Sequence, residues 1–150
     1  MKIAICGAQG VGKTTLVNEL AKELGFRVLP EVAREMAKAG HKLDQGVTAL
    51  LEYEMIKMQT GLEEMLGPWI ADRSLIDLLA YCVVLFPEDK SLFSIARGKL
   101  KEAKYDLIFY IPPEFTIEDD GVRSTDPHFR DKIDQAIKNV LKGYEHHIIR

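Results

Sequence analysis

Residues 7–15 read Gly-Ala-Gln-Gly-Val-Gly-Lys-Thr-Thr, set between a short apolar run at 3–6 and a helix-patterned segment that starts at Lys13. Glycine weakens helices, so three of them directly before one need another reason. The spacing Gly7-x-x-x-x-Gly12-Lys13-Thr14, in a strand-loop-helix context, supplies it. Glycine permits positive φ and a close approach of backbone to phosphate oxygens. Successive N–H groups across Gly7, Ala8, Gln9, Gly10, Val11 and Gly12 can then face a polyphosphate at a helix N-terminus. Lys13 adds a point charge for the β- and γ-phosphates, the Thr14 hydroxyl suits Mg²⁺, and Thr15 is a further phosphate donor. An ordinary glycine-rich turn is the plain competitor, and the full spacing outweighs it. The motif predicts binding of a nucleoside triphosphate such as ATP with Mg²⁺, and leaves open what is done with it.

Outward from this loop, apolar runs at 3–6, 26–29, 69–71, 107–111 and 147–149 alternate with helix-patterned segments. They lack helical periodicity and are rich in β-branched or aromatic residues, which predicts a buried parallel sheet in an α/β protein. The first helix carries Leu16, Val17, Leu20, Ala21 and Leu24 on one stripe and is closed by Gly25. Residues 31–68 exceed the dozen or so that a crossover needs, and predict two helices forming an acceptor-binding lobe. The second of these places Val47, Leu50, Leu51, Met55, Met58, Leu62, Met65 and Leu66 at helical spacing, expected as core. Residues 113–126 are irregular and turn-rich, a candidate lid. Asp126-Pro127 then caps and opens a last helix.

The 150 residues, 47% hydrophobic and 29% charged, fit a single soluble domain spanning 1–150. A formal net charge of −3 gives no general field for collecting nucleic acid or an anionic membrane. The densest basic run, Arg97, Lys99, Lys101 and Lys104, is interrupted by Glu102 and reads as a solvated helix face. Cys6 and Cys82 lie in apolar runs without ligand spacing, as two buried thiols in a reducing cytoplasm would. No apolar run reaches the ~20 residues of a membrane span. His41, His128, His146 and His147 show no metal spacing.

Three nucleotide-using classes share the loop: guanine switches, ATP-driven motors and small-molecule kinases. No Asn-Lys-x-Asp stretch for guanine is present. Where motors usually end a strand in two acids, residues 68–74 (PWIADRS) give Asp72 followed by Arg73. One acid suits Mg²⁺, and the arginine suits a phosphoryl group. Here the chain resembles nucleoside and nucleotide kinases, in which an acid-Arg-Ser or Asp-Arg pair ends the third strand. More closely, PEVAR at 30–34, ADRSLIDLLAY at 71–81 and DGVRS at 120–124 resemble the AAA-type ATPase/kinase family that includes the ribosylnicotinamide kinase domain.

That resemblance implies a P-loop NTPase fold, a three-layer sandwich around a five-stranded parallel sheet of order 2-3-1-4-5, with the active site at the strand carboxyl ends. It also implies ATP and Mg²⁺ and a nucleoside-like small-molecule acceptor. Glu31, at the end of the second strand, falls where such kinases place the carboxylate that accepts the acceptor's proton. Its alternative is a favourable first-turn charge on the next helix. Arg34 is either a phosphate clamp or an ion-pair partner of Glu31. Asp72 supports Mg²⁺ together with Thr14, and Arg73 stabilises charge, with Asp77 as its pairing partner. Asp120-Gly121 would turn Arg123 inward from the lid, with Arg130 a second choice. Kinases of this pattern continue past the fifth strand. The expectation here is therefore a bare edge strand, a shortened chain, or completion by a partner such as a second copy in a homodimer. An NTPase serving a protein or nucleic-acid partner and a non-catalytic nucleotide-binding module are the rival readings.

Overall fold

The computed structural model describes residues 1–43, 46–114 and 125–149. The five apolar runs form strands β1 (Lys2–Cys6), β2 (Arg27–Leu29), β3 (Trp69–Asp72), β4 (Leu107–Tyr110) and β5 (His147–Ile148). They pair in parallel in the order β2-β3-β1-β4-β5, as expected. Between them run α1 (Lys13–Leu24), α2 (Val32–Lys38), α3 (Ala49–Glu63), α4 (Leu75–Leu85), α5 (Lys90–Glu102) and α6 (Pro127–Leu141).

Alternation along the strands divides the core. Ile3, Ile5 and Ile70 meet Val17 and Ala21 of α1 on one face. Ala4, Cys6, Ile108 and Tyr110 meet α4 and α6 on the other. Helix α4 packs against α3, α5 and α6, and Leu75 through Cys82 are all buried. A helix apolar on every side belongs inside. Ser74 and Asp77 close its start as a capping box. Asp126 caps α6 by accepting from the His128 N–H, with Pro127 in the first turn, as the sequence predicts. No helix among the described residues is long and apolar enough to cross a membrane.

Two expectations fail. Leu24, the last residue of α1, is 49% exposed. On α3, Met55 is buried, but Leu50 (70% exposed), Met58, Met65 and Leu66 (90% exposed) face outward, the last two past the helix end. The inward stripe is instead Glu52, Met55, Ile56, Gln59 and Glu63. Those polar groups turn inward because partners wait there: Cys82 for Glu52, and the Arg73 carbonyl, Leu75 N–H and Tyr105 hydroxyl for Gln59 and Glu63. Arg123, Asp120, Gly121 and most of the 113–126 segment lie outside the described residues, so the lid is not described.

Candidate active site

Three strands deliver the candidate residues to one edge of the sheet. The glycine-rich loop leaves the carboxyl end of β1, Glu31 follows β2, and Asp72 ends β3 with Arg73 directly after it. Gly7 is required by space, because a Cβ there would sit 2.7 Å from the Ile111 carbonyl oxygen. Gly12 is required by handedness: it precedes α1 at φ 88°, which L-residues rarely adopt. The loop from Gln9 to Thr15 then borders a cavity of about 130 Å³ whose opposite wall is Glu31, Arg34 and Arg73. A larger cavity of about 470 Å³ lies between α4, α5 and α6, lined mainly by apolar side chains such as Leu79, Phe93 and Val140. Size favours that one, but the convergent charged groups are in the smaller, and chemistry decides.

Lys13 is buried, with its Nζ donating to the Ala8 carbonyl. Burial first, and repulsion from Arg73 second, lower its pKa from the ordinary 10.5 to about 7, against the pull of Asp77, Glu31 and Asp72. A phosphate placed beside the ammonium group restores its charge. Binding of MgATP at pH 8 is therefore expected to take up close to one proton. Affinity should weaken by up to ~10-fold per pH unit above 7 until the lysine of the complex itself titrates. Calorimetry in buffers of different ionisation heat checks this, and heats independent of buffer refute it.

The Thr14 hydroxyl donates to Asp72 Oδ2 at 2.7 Å. The other oxygen, Oδ1, is buried without a hydrogen-bond partner among the described residues. An orphaned carboxylate oxygen beside a hydroxyl is a hard-oxygen donor set, and it fits Mg²⁺. No other candidate arises: the described residues contain no group of three metal-ligating side chains.

Glu31 is the N-cap residue of α2, but its side chain does not cap the helix. It turns to Arg73 instead, Oε1 accepting from Nε at 2.8 Å, with side chains only 5% and 7% exposed. Arg34 approaches Oε2 at 3.6 Å, as the ion-pair alternative has it, while also lining the cavity. Arg73 donates further to the Gly7 carbonyl at 3.4 Å and lies over the Tyr81 ring. Burial opposes its charge, yet Glu31 first, then Tyr81, Asp77 and Asp72, hold its pKa above the usual arginine value.

Asp77 is more than the expected partner of Arg73, from which it stands 3.9 Å away. Its Oδ1 accepts from the Gly7 N–H at 3.1 Å and its Oδ2 from Ser74, so α4 is tied directly to the phosphate loop. Burial raises its pKa against the opposing effects of Arg73 and Lys13. The Ser-x-x-Asp spacing at 74–77 was the sequence signal for this cap. Gln9 also gains a role no motif suggested, its Oε1 accepting from the Tyr81 hydroxyl. Arg130 lies half-buried in the first turn of α6, and the four histidines form no cluster.

The model of an AAA domain family matches residues 2–150. A search of curated proteins by sequence finds no match. Among solved structures, a NadR protein in complex with NR is similar at TM-score 0.86 and 24% identity, over 98% of this chain and 45% of that one. A NadR protein in complex with NAD and AMP-PNP is similar at 0.82 and 23%, over 99% and 44%. A deoxyadenosine kinase from M. mycoides, with products dCMP and dCDP bound, is similar at 0.72 and 18%, over 100% and 90%. This chain thus spans about half the length of the NadR chains. At these identities the likeness is one of fold, that of P-loop kinases.

Proposed function

The chain belongs to this AAA domain family, and from that premise we propose that it is a phosphotransferase moving the γ-phosphate of ATP to a hydroxyl of a nucleoside-like small molecule. The observation that carries the reading is the Glu31–Arg73 pair, buried and facing the same cavity as the phosphate loop. A carboxylate that can orient an alcohol, beside a cation for the phosphoryl group, is the pairing that transfer to an acceptor hydroxyl uses.

Loop N–H groups and Lys13 hold the β- and γ-phosphates, with Thr15 as an extra donor. Thr14 and Asp72 would hold Mg²⁺, which when bound neutralises charge on the phosphates. The acceptor enters from the 31–68 lobe and its hydroxyl donates to Glu31. Arg73, bonded to that carboxylate, holds it in place. The acceptor oxygen forms its bond to the γ-phosphorus as the bond to the bridging oxygen breaks. The proton passes to Glu31 late, and ADP leaves with the electron pair. Arg73, joined by Arg123 from the 113–126 segment, offsets the charge spread over the phosphoryl oxygens.

A coupled assay of ATP consumption across nucleosides, nucleotides and nicotinamide riboside tests the proposal, with Lys13→Ala and Glu31→Gln as controls. At least one acceptor is expected to raise consumption severalfold, and Glu31→Gln to abolish that increment by about 100-fold. If no acceptor exceeds the ATP-only rate, the kinase reading loses to the NTPase one, and no turnover at all favours a nucleotide-binding module. NadR with NR and the deoxyadenosine kinase support starting the screen with ribosides and deoxyribosides.

A further inference from the structure

Arg73 is the only non-glycine residue with positive φ among the described residues, at 74°. A left-handed backbone is costly for a side-chain-bearing residue and persists only where its surroundings over-determine it. Three successive peptide groups supply that determination. The Arg73 N–H donates to the Ile5 carbonyl at 3.2 Å, and its carbonyl accepts from Gln59 Nε2 at 3.4 Å. The Ser74 N–H is held by Asp77 at 2.9 Å. The Leu75 N–H donates to Glu63 Oε1 at 3.1 Å.

Gln59 and Glu63 are themselves one unit. The Glu63 oxygen that receives Leu75 also accepts from Gln59 Nε2 at 2.9 Å, and its other oxygen accepts from the Tyr105 hydroxyl at 2.6 Å. Both side chains are buried. An amide and a carboxylate under α3 stabilise the fold no better than apolar residues of similar size would, so what they add is a fixed geometry. That geometry is the 73–75 turn, from which the guanidinium reaches Glu31 on the same wall of the cavity. The relay also stands on α3, whose Glu52 and Met55 border a gap of about 10 Å³ beside Arg73.

We propose that Gln59 and Glu63, braced by Tyr105, are positioning residues that hold the left-handed Arg73 turn and so aim its guanidinium at Glu31 and the transferring phosphate. The catalytic half of this statement rests on the kinase reading; the geometric half does not. They act through the backbone of the turn, Gln59 on the Arg73 carbonyl and Glu63 on the Leu75 N–H.

Gln59→Met removes the amide at nearly constant volume, and Tyr105→Phe removes one brace more gently. In ¹⁵N spectra of the full chain, the Nε–H signal of Arg73, identified by its loss in Arg73→Lys, reports the bond to Glu31. Gln59→Met is expected to speed hydrogen exchange at that signal at least tenfold, and Tyr105→Phe severalfold. Backbone amides of β1 and β3 should keep wild-type protection. With an active acceptor, kcat should fall about tenfold in Gln59→Met while KM for ATP stays unchanged. Faster exchange without any acceptor activity would uphold the relay and remove the kinase reading. Unchanged exchange at Arg73 in both variants, or exchange that speeds only in step with β1 and β3, overturns the relay.

Discussion

Replacing Lys13 by methionine is expected to slow phosphoryl transfer by about a thousandfold or more while making the ligand-free protein more stable. The two effects share a cause. In the proposed role the ammonium group meets a phosphate; in the free protein it is desolvated and repelled by Arg73, which brings its pKa to about 7. A group whose folded pKa lies below its unfolded value of 10.5 binds its proton more readily in the unfolded chain. Below pH 7 the wild type therefore carries the full penalty, and the penalty fades as pH rises from 7 towards 10.5. Methionine, of similar length, never carries it. The variant's advantage should reach roughly 2–4 kcal/mol at pH 6, or ~5–10 °C in thermal midpoint, and shrink by pH 9.5. A midpoint difference that does not change with pH, or that favours the wild type at pH 6, refutes this account.

The second large effect belongs to the buried pair. Arg73→Met takes from buried Asp77 its nearby arginine and leaves Glu31 with Arg34 at 3.6 Å, and is expected to cost about 3–5 kcal/mol, or roughly 10 °C in thermal midpoint, together with the transfer activity. Glu31→Leu alone should cost less, since Arg73 keeps Asp77 and the Gly7 carbonyl nearby. Combining the two removes both charges, so the double variant should recover more than half of the loss caused by Arg73→Met. Activity should stay absent. Denaturant unfolding of the four proteins in this cycle gives the coupling energy, and simple additivity would mean that Glu31 and Arg73 do not depend on each other.

Much of this was legible in the chain. Strand runs and the glycine spacing are local patterns, and the carboxylate after a strand is marked by the end of apolar sequence, so the sheet and the neighbourhood of Glu31, Asp72 and Arg73 could be read directly. Helix α3 could not. Its apolar periodicity is real, but Leu50, Met58, Met65 and Leu66 follow the wrong stripe, because Glu52, Gln59 and Glu63 find hydrogen-bond partners more than ten residues away. A periodicity argument weighs a side chain's affinity for water and is blind to such partners. Nor does the letter for arginine at 73 announce a left-handed backbone, which arises from the junction of β3 with α4.

The strand order also governs when the phosphate loop can exist. Strand β1 precedes the other four strands in the chain yet occupies the centre of the sheet, with Lys2 beside Trp69 and Ile3 beside Leu107. On the ribosome its hydrogen-bonding edges stay unsatisfied until β4 has emerged, and the hydrogen bonds that hold Cys6 and Gly7 come from Ile111 and Asp77. Nascent chains released before that point should be protease-sensitive and apt to aggregate, and a segment translated before its neighbours acquires its shape only with them.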